Sequence, residues 1–382
     1  REDDFTEIVL GMRGVSAAGL PAPLDLDASA SRLTRRFDDP ANPLGAVADR
    51  HENRRARLAA SWRDTLGRGD VTARAEGIAD RLQSSTDGDL SRGRGSFALL
   101  LTQGRRRWGG SLALRADAVE GFAPRATLRG SVARTLQGEA GSSRWVALRA
   151  GAGTSFRPPT FDDLFWPARA SAAGNPDLQP ERARDLDLAM EARRDGSRAQ
   201  VTLFHSEVSD LIQWTPGPDA VWRPHNMLTA RIRGVEAEAS AGLREMGLPS
   251  RMAGLPMPAW LDAAIGFLDA RDRSGGTVTR GKQLVGRPQL FGFSELAWSA
   301  GPWTFAAGAR ATSRIPLTAA NTKWSEGYAV WHARLRWQAS PFLRLDLEGR
   351  NLLDTRYEDL RGYTTPGREL LLGLRYGIPS GD

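Results

Sequence analysis

The C-terminal segment from Asn351 to Tyr376 decides the fold class of this chain. It reads Asn351-Leu352-Leu353-Asp354-Thr355-Arg356-Tyr357, then Gly362-Tyr363-Thr364-Thr365-Pro366-Gly367-Arg368, and then Glu369-Leu370-Leu371-Leu372-Gly373-Leu374-Arg375-Tyr376. The first two stretches are rich in turn-forming residues, and the third carries apolar side chains on every second position. The segment therefore predicts a loop followed by a β-strand.

The composition excludes a helical membrane protein but leaves a membrane β-barrel open. No stretch of the 382 residues approaches the roughly 20 consecutive apolar residues that a transmembrane helix needs. Alternating strands, in contrast, dilute the hydropathy signal almost completely. The 41 glycines and 12 tryptophans favour a β-protein with many turns and an aromatic belt at a membrane interface.

Cysteine and charge narrow the function classes. The absence of cysteine excludes a disulfide framework, a thiolate metal site and a cysteine nucleophile. The net charge of +7 comes from arginine, because Lys282 and Lys323 are the only lysines. The arginines are spread through alternating strands rather than gathered in one stripe, so no nucleic-acid partner is expected. The chain begins at Arg1 without a signal segment, which indicates a cleaved leader or a fragment.

Alternation of apolar and polar residues recurs along the chain, and no periodic run indicates a helix. It is clearest between Tyr328 and Arg350, where Leu, Ala and Trp alternate with charged residues. Strands of about ten to sixteen residues are long enough to cross a bilayer at a tilt. We predict about sixteen strands, at 4–16, 53–65, 70–82, 93–103, 107–117, 123–135, 143–156, 182–193, 197–209, 227–242, 259–271, 289–300, 303–314, 328–339, 342–351 and 368–377.

The connections between these strands alternate between short and long. Outer-membrane barrels show this rhythm, with tight periplasmic turns and long external loops. Short turns are predicted at 66–69, 103–106, 194–197, 299–302 and 339–341, and long loops at about 17–52, 157–181, 210–226, 272–288, 315–327 and 352–367. The long connection at 243–258 breaks the rhythm and is expected to be an insertion at the periplasmic rim.

The two faces of the strands predict two surroundings. Aromatic side chains prefer the headgroup level of a membrane. We expect a periplasmic aromatic girdle made of Trp62, Trp108, Trp145, Trp260, Trp298, Trp303, Trp337 and Tyr376. Charged side chains must face water or another polar surface, so a second set is expected to line the lumen. This set comprises Arg334, Arg336, Arg344, Asp346, Glu348 and Arg350.

The C-terminal segment closely resembles the signature of the TonB-dependent outer-membrane receptors. In that family an NLxDxxY block caps the penultimate strand and a GYxxPGR block opens the last one. A second stretch, Phe156-Arg157-Pro158-Pro159-Thr160-Phe161-Asp162-Asp163-Leu164-Phe165 with Gly174-Asn175-Pro176-Asp177-Leu178-Gln179-Pro180-Glu181, resembles the family's FRAPxFxELY…GNPxLxPE external loop. Its prolines fix extended or turned backbone.

A third stretch is similar to the cobalamin receptors and many of their relatives. It comprises Asp210-Leu211-Ile212-Gln213-Trp214, then Asn226, and the run from Ala230 to Glu238, which matches the pattern DLIxW…N…ARIxGVE. A role in choosing the substrate is one interpretation of this block. The other is that its residues shape a loop and place Glu236 and Glu238 inside the barrel.

The resemblance implies a transmembrane antiparallel β-barrel of twenty-two strands around a plug domain that comes first in the chain. Nothing in residues 1–382 resembles the plug or the short segment that engages TonB. We therefore expect residues 1–382 to be the C-terminal part of such a barrel, with the plug and first strands absent; a split receptor and a stand-alone barrel remain open. The chain departs from the family after Tyr376, where six further residues replace the usual terminal aromatic.

The expected function follows from the resemblance. A bacterial outer-membrane receptor of this family would carry a scarce, large nutrient, either cobalamin or a ferric siderophore, energised by TonB and the inner-membrane complex through the plug. Its other partners would be outer-membrane lipid and lipopolysaccharide. No enzyme is expected, because no nucleophile–base pair appears. The alternative is a passive diffusion porin of sixteen strands, which needs neither plug nor TonB.

The loops supply the candidate ligand contacts. These are Arg157, Phe161, Trp166, Trp214, Trp222 and Trp324. The loop tryptophans would either stack on a flat ligand or pack between loops. The Asp162-Asp163 pair, and Asp87 with Asp89, offer oxygen ligands to calcium, but their spacing favours solvated carboxylates. The four histidines are scattered, so no metal site and no other cofactor are expected.

Overall fold

The computed structural model describes residues 2–15, 22–39, 47–86, 88–139, 141–168, 171–243, 251–252, 255–256, 259–274, 278–358 and 365–377. Most of the predicted insertion at 243–258 lies outside these ranges, as do Asp87 and residues 359–364 of the C-terminal block. The described chain is all-β apart from one helix of five residues, α1 (Phe161–Phe165). No helix in the described part is long and apolar enough to cross a membrane.

Long antiparallel strands make up most of the described chain. In chain order they are β1 (Glu2–Val15), β2 (Leu24–Asp39), β3 (Val47–Leu66), β4 (Gly69–Ser84), β5 (Gly88–Arg105), β6 (Trp108–Val119), β7 (Arg125–Gly138), β8 (Arg144–Arg157), β9 (Glu181–Arg194), β10 (Ser197–Pro216), β11 (Trp222–Gly242), β12 (Arg251–Met252), β13 (Leu255–Pro256), β14 (Ala259–Asp272), β15 (Leu290–Ala300), β16 (Trp303–Thr312), β17 (Ile315–Pro316), β18 (Trp324–Ser325), β19 (Tyr328–Ser340), β20 (Leu343–Arg350) and β21 (Glu369–Tyr376). Seventeen of these described strands share one sheet, while β12–β13 and β17–β18 form two small pairs.

The contacts divide the chain into two compact units. The first contains Arg1–Val132, Gly151–Asp185 and Glu207–Thr229, and the second contains Ala133–Ala150, Leu186–Ser206 and Ala230–Asp382. In the first unit β1 to β6 pair consecutively as an antiparallel meander. In the second, β11, β14, β15, β16, β19, β20 and β21 do the same.

Tight turns join the hairpins where the sequence predicts them. Asp195 and Gly196 both have positive φ, at 49° and 93°, as a two-residue turn between twisted strands requires. Gly67 and Gly301 take the same left-handed conformation in their turns, at 66° and 57°. The predicted short connections at 66–69, 194–197 and 299–302 are therefore confirmed.

Each meander has an apolar face and a charged face, because successive side chains of a strand point to opposite sides. In the second unit the cross-strand rows Phe305–Leu335–Leu347 and Trp303–Trp337–Leu345 lie on the apolar face. The row of Arg336 and Asp346 lies on the other. Leu372 is 78% exposed on the apolar face. A leucine row so exposed requires an apolar surrounding such as lipid.

The strand count differs from the prediction at the N-terminal side. Residues 17–52, predicted as one long loop, contain β2 (Leu24–Asp39) and the beginning of β3. Strand β2 alternates Leu24, Leu26, Ala28 and Ala30 with Asp and Ser, so its small side chains give a faint periodicity. The sheet therefore has seventeen described strands instead of sixteen, and β1 runs opposite to the predicted direction.

One predicted loop is shorter than expected. Strand β10 continues to Pro216 and β11 begins at Trp222, so residues 210–226 are mainly a long hairpin. Its five-residue connection is closed by the Gly217 N–H, which donates to the carbonyl of Val221 at 2.9 Å. The pairing of β10 with β11 extends into this stretch because the third family block is rich in residues that favour β-strands.

Two of the eight predicted girdle residues lie on the wrong face. The Trp260 Nε1–H donates to Ser240 Oγ at 3.0 Å, and Trp260 stands in the charged-face row of Ala297. Trp145 lies under the guanidinium of Arg193, at 6.0 Å from the ring centre. Proximity to a turn does not fix the face, because a shift of one residue reverses it.

The other six predicted girdle residues lie on apolar faces next to short turns: Trp62, Trp108, Trp298, Trp303, Trp337 and Tyr376. The rings of Trp303 and Trp337 stack at 5.3 Å with 11° between their planes. Trp298 packs on Phe305 at 4.2 Å. That these rings sit among periplasmic headgroups stays a prediction.

Candidate functional site

Helix α1 lies at the centre of the second family block and is held by its own capping residues. The hydroxyl of Thr160 accepts the N–H of Asp163, and the Asp163 carboxylate accepts the N–H and hydroxyl of Thr160 at 3.0 and 2.8 Å. Such a reciprocal capping box satisfies donors that a short helix leaves free. It also orients the helix so that Asp163 and Leu164 are buried while Asp162 is exposed.

Asp163 joins the second family block to the third. Its Oδ1 accepts the indole N–H of Trp214 at 3.0 Å, and its backbone carbonyl accepts the N–H of Asn175 at 2.8 Å. Trp214 also meets Trp166 edge to face, with ring centres 6.3 Å apart. Of the two interpretations of the loop tryptophans, packing between loops therefore describes Trp214. Its position fixes that of Trp166.

A second anchor stands at the base of the loop. Arg157 donates to both carboxylate oxygens of Glu181, at 2.7 and 2.6 Å, and the Ile212 N–H donates to the same carboxylate at 2.8 Å. The Glu181 side chain is 11% exposed and that of Arg157 is 52% exposed. A bidentate pair of this kind fixes direction as well as distance. Arg157 thus closes the loop instead of offering a free charge to a ligand.

Two asparagines of the family blocks bind the loop backbone. The side chain of Asn226 accepts the N–H of Gln179 at 2.8 Å and donates to its carbonyl at 2.9 Å, which mimics a strand pair. Asn175 donates to the carbonyl of Pro224 at 3.1 Å. Trp222 contributes through its backbone, which exchanges hydrogen bonds of 2.9 Å with Ser171 and Ala173. The described residues 157–168 and 171–181 therefore form one structure with residues 210–226.

This structure covers a cavity of about 690 Å³ in the first unit. One wall is the loop, with Thr160, Phe161, Asp162, Trp166, Pro167, Ser171 and Ala172, and the other is the charged face of the sheet, with Arg35, Asp49, His51, Asn53, Leu82 and Thr86. Small-molecule sites are typically concavities of roughly 300–1,000 Å³ with apolar walls and a few polar groups. Aromatic rings opposite charged side chains give this cavity that character.

Phe161 is held at the cavity by a cation. The guanidinium of Arg92 lies 4.7 Å from the centre of its ring and donates to the carbonyl of Pro159 at 2.7 Å. Contact between a guanidinium and an aromatic face stabilises both groups where water is excluded. Sequence reasoning identified Phe161 but missed Arg92, because Arg92 lies far from the loop in the chain and no motif marks it.

Trp324 is not brought to this cavity. It belongs to the second unit, where its indole N–H donates to the Asn321 carbonyl at 2.8 Å and the guanidinium of Arg314 lies 4.5 Å from the ring centre. Of the six predicted contacts, Phe161 and Trp166 line the cavity, while Arg157, Trp214 and Trp222 hold the loop that forms it.

The predicted lumen residues lie together on the charged face of the second unit. Asp346 accepts from Arg336 and Arg344, each at 2.8 Å. Arg350 donates to Glu348 at 2.6 Å. Arg334 donates to Glu295 at 3.2 Å. The face is thus an ion-pair ladder within the sheet; its contact with a plug stays a prediction.

The connection between β10 and β11 carries an ion pair that lowers the pKa of one carboxyl group. Arg223 donates to both oxygens of Asp219, at 3.1 and 2.9 Å, and holds the pKa of that carboxyl below its ordinary value.

Among the described residues, no three His, Asp or Glu side chains are grouped as a metal ion requires. Asp89 is engaged by Arg81 at 3.0 Å. Calcium in these loops therefore stays an untested expectation.

Comparison with known proteins identifies the family. The model of the TonB dependent receptor-like β-barrel matches residues 16–352. Over 239 residues the chain is 28% identical to the vitamin B12 transporter BtuB of Photobacterium profundum, a match that covers 60% of this chain and 35% of that protein. The chain thus spans about a third of the length of that relative.

Two solved structures share the fold. The copper transporter OprC superposes with a TM-score of 0.73 at 17% identity, over 98% of this chain and 65% of that one. The siderophore receptor PiuA from Acinetobacter baumannii gives 0.67 at 14% identity, over 98% and 64%. Because the family model spans nearly all of the strands described above, this chain belongs to the TonB-dependent receptor-like β-barrel family of outer-membrane receptors and transporters.

Proposed function

We propose that the protein containing this chain takes up a large, scarce nutrient through the outer membrane, and that the cavity under residues 157–181 is part of its capture site. The observation that carries the proposal is the loop structure itself. Family blocks that are separate in sequence meet through Asp163 and Glu181, and they hold Phe161 and Trp166 over a cavity of about 690 Å³. A preformed site of this kind binds without a large ordering cost.

Orientation in the membrane follows from the alternation of connections. Strand β9 (Glu181–Arg194) follows the loop of α1 and ends at the tight turn Asp195-Gly196, so these two connections lie at opposite ends of that strand. Family barrels have short periplasmic turns and longer external loops. The loop end would then face the medium, where a ligand arrives, and the turn end would face the periplasm.

Energy for transport would come from TonB acting on a plug domain. The resemblance of the chain and its family membership support this arrangement and disfavour the passive porin. Cobalamin is the first candidate ligand, because the third family block and the vitamin B12 transporter of Photobacterium profundum point the same way. A ferric siderophore is the second, because PiuA is a siderophore receptor with this fold.

The decisive experiment is uptake of labelled cobalamin by cells whose only outer-membrane receptor is the full-length protein, with and without TonB. Uptake should require TonB, and it should fall about tenfold or more in a Phe161→Ala/Trp166→Ala variant, since a few aromatic anchors usually dominate binding. Trp324→Ala is the matched control, because it removes a loop tryptophan outside the cavity and should leave uptake unchanged. Uptake that persists without TonB would favour a porin. Growth on an iron chelate in place of cobalamin uptake would change the ligand and keep the family.

A further inference from the structure

Three arginines stand side by side on the apolar face of the first unit. Arg32 on β2 is paired across to Arg54 on β3, and Arg54 is paired across to Arg81 on β4. Side chains two residues apart on a strand share a face and are about 6.6 Å apart. The rows next to the arginines on this face, towards the short turns, are Ala30–Ala56–Ala79 and then Ala28–Leu58–Gly77. The arginine row therefore borders an apolar band.

A single carboxylate holds Arg32 and Arg54 in place together with Arg50 of β3, whereas Arg81 donates to Asp89 at 3.0 Å. Glu52 accepts from Arg32 at 2.7 Å and from Arg54 at 2.6 Å, and Arg50 approaches it at 3.6 Å. The Glu52 side chain is 8% exposed, whereas those of the three arginines around it are 52 to 56% exposed. Three cations share one buried anion, so the exposed surface of the cluster carries excess positive charge.

The second unit repeats this arrangement. Arg233 is paired across to Asp269, and Arg231 to Arg271, on the face that carries the apolar pair Val235–Phe267. The Asp269 side chain is 8% exposed and accepts from Arg233 at 3.0 Å and also from Arg271. The Nε of Arg231 is buried and has no hydrogen-bond acceptor within the described part of the chain. A second buried carboxylate thus presents arginines just beyond an apolar band.

Ion pairing alone explains these clusters poorly. Exposed pairs contribute only about 0–1 kcal/mol each, and a pair needs one arginine for one carboxylate. The excess arginines are half-exposed on a surface that is continuous with a lipid-facing band. Guanidinium groups bind phosphate oxygens through two parallel hydrogen bonds, and phosphate groups lie at the level where the apolar core of a membrane ends.

We propose that the Arg32–Arg54–Arg81 row and the Arg231–Arg233–Arg271 cluster bind phosphate groups of the outer-leaflet glycolipid, with the apolar band packing against its acyl chains. The assignment to the outer leaflet rests on the orientation given under the proposed function. Glu52 and Asp269 are the buried carboxylates around which these guanidinium groups gather. The bound lipid would fix the height of the barrel in the membrane, a role separate from ligand capture.

The test measures lipid retention by the purified full-length protein in detergent, by native mass spectrometry and by titration. The probes are bisphosphorylated lipid A and the same lipid with its phosphates removed. The wild-type protein should retain the phosphorylated form about tenfold better, since hydrogen bonds between charged groups are the strong ones. Equal retention of both forms would overturn the recognition of phosphate.

The key variant is Arg32→Gln/Arg54→Gln/Arg81→Gln, which should bind phosphorylated lipid A at least about tenfold more weakly. Its matched control is Arg55→Gln/Arg57→Gln/Arg74→Gln, which removes the same charge from the charged face of β3 and β4. Wild-type binding by the first variant would refute the site, as would an equal loss in both variants.

Two further variants distinguish a loss of lipid binding from a loss of folding. Replacing the three arginines by lysine keeps the charge and should retain most of the binding. Glu52→Gln frees the arginines from their shared anion and should bind the phosphorylated lipid at least as tightly as the wild type. Weaker binding by a folded Glu52→Gln protein would contradict the proposal. Retention in detergent requires neither uptake nor TonB, so its outcome is independent of the transport experiment.

Discussion

Removing the carboxylate of Asp163 should open the α1 loop and leave the sheet intact. The Asp163→Ala change deletes the acceptor of three hydrogen bonds, two from Thr160 and one from the Trp214 indole, at 2.8 to 3.0 Å. Asp163 is 7% exposed and Trp214 is partly buried, so the indole N–H would be left with little access to water, whereas Thr160 is exposed. Each buried donor without a partner costs about 1–3 kcal/mol, and loss of the helix cap costs about 1 kcal/mol.

One unsatisfied buried donor and the lost cap together give an expected local destabilisation of about 2–4 kcal/mol. Because about 1.4 kcal/mol corresponds to a factor of ten, amide hydrogen exchange in the loop should accelerate at least about thirtyfold. The reporting amides are those of Leu164, Trp166, Gly174 and Asn175, which donate to carbonyls of the same loop. Amides of the β3–β4 ladder should keep their protection, since local opening does not require the sheet to unfold.

Asp162→Ala is the matched control for this experiment. Asp162 is the neighbouring carboxylate on the same helix, but its side chain is exposed. Its removal should change exchange at the reporting amides less than about tenfold, because exposed polar contacts contribute about 1 kcal/mol or less. Equal acceleration in the two variants, or none in Asp163→Ala, would refute the assignment of Asp163 as the anchor of the loop.

Three further outcomes are expected. Leu372→Arg should cost roughly 2–4 kcal/mol of folding stability in lipid vesicles, whereas Glu348→Arg on the charged face should cost less; equal costs would mean that the faces are reversed. Gly234→Ala should destabilise by about 1–3 kcal/mol in thermal unfolding, because its Cβ would overlap the carbonyl oxygen of Phe267 on the paired strand, while Gly95→Ala, with open space around it, should be near neutral. Since the lowered pKa of Asp219 makes its ion pair stabilising above the ordinary carboxyl pKa of about 4, the protection factors of amides at the tip of that loop, which correct for the intrinsic pH dependence of exchange, should fall as pH falls below this range; protection factors that do not change with pH would contradict the pairing.

Much of the fold could be predicted from sequence because the side chains on the lipid-facing side of each strand must be apolar. Leu345, Leu347, Trp303 and Trp337 alternate with charged or small residues, so their strands and faces were predictable. Strand β2 was not, because its apolar positions are mainly alanine and its polar positions are small. Nearness to a turn predicts the wrong face for Trp145 and Trp260, because the face of a strand residue depends on whether its position along the strand is odd or even.

The candidate site was predictable only in part. The family blocks located the loop and the aromatic residues Phe161 and Trp166. They did not distinguish residues that line the cavity from residues that hold the loop, because that distinction depends on contacts such as Asp163 with Trp214. The cavity wall that contains Arg35 and His51 was not predicted, because both residues lie in the stretch 17–52 that was predicted as a loop.

The residues that hold the α1 loop differ from those that line the cavity, and this affects how the ligand preference of the site can change. Within α1, Asp163 and Leu164 are buried. Gly174 has no room for a side chain, because a Cβ there would lie 2.5 Å from the backbone of Trp166. Phe161 and Asp162, only one or two positions away, line the cavity. New ligand preferences can therefore arise by substitution at the cavity-lining positions while the anchoring positions stay fixed. A library randomised at 161, 162 and 166 should yield folded proteins far more often than one randomised at 163, 164 and 174.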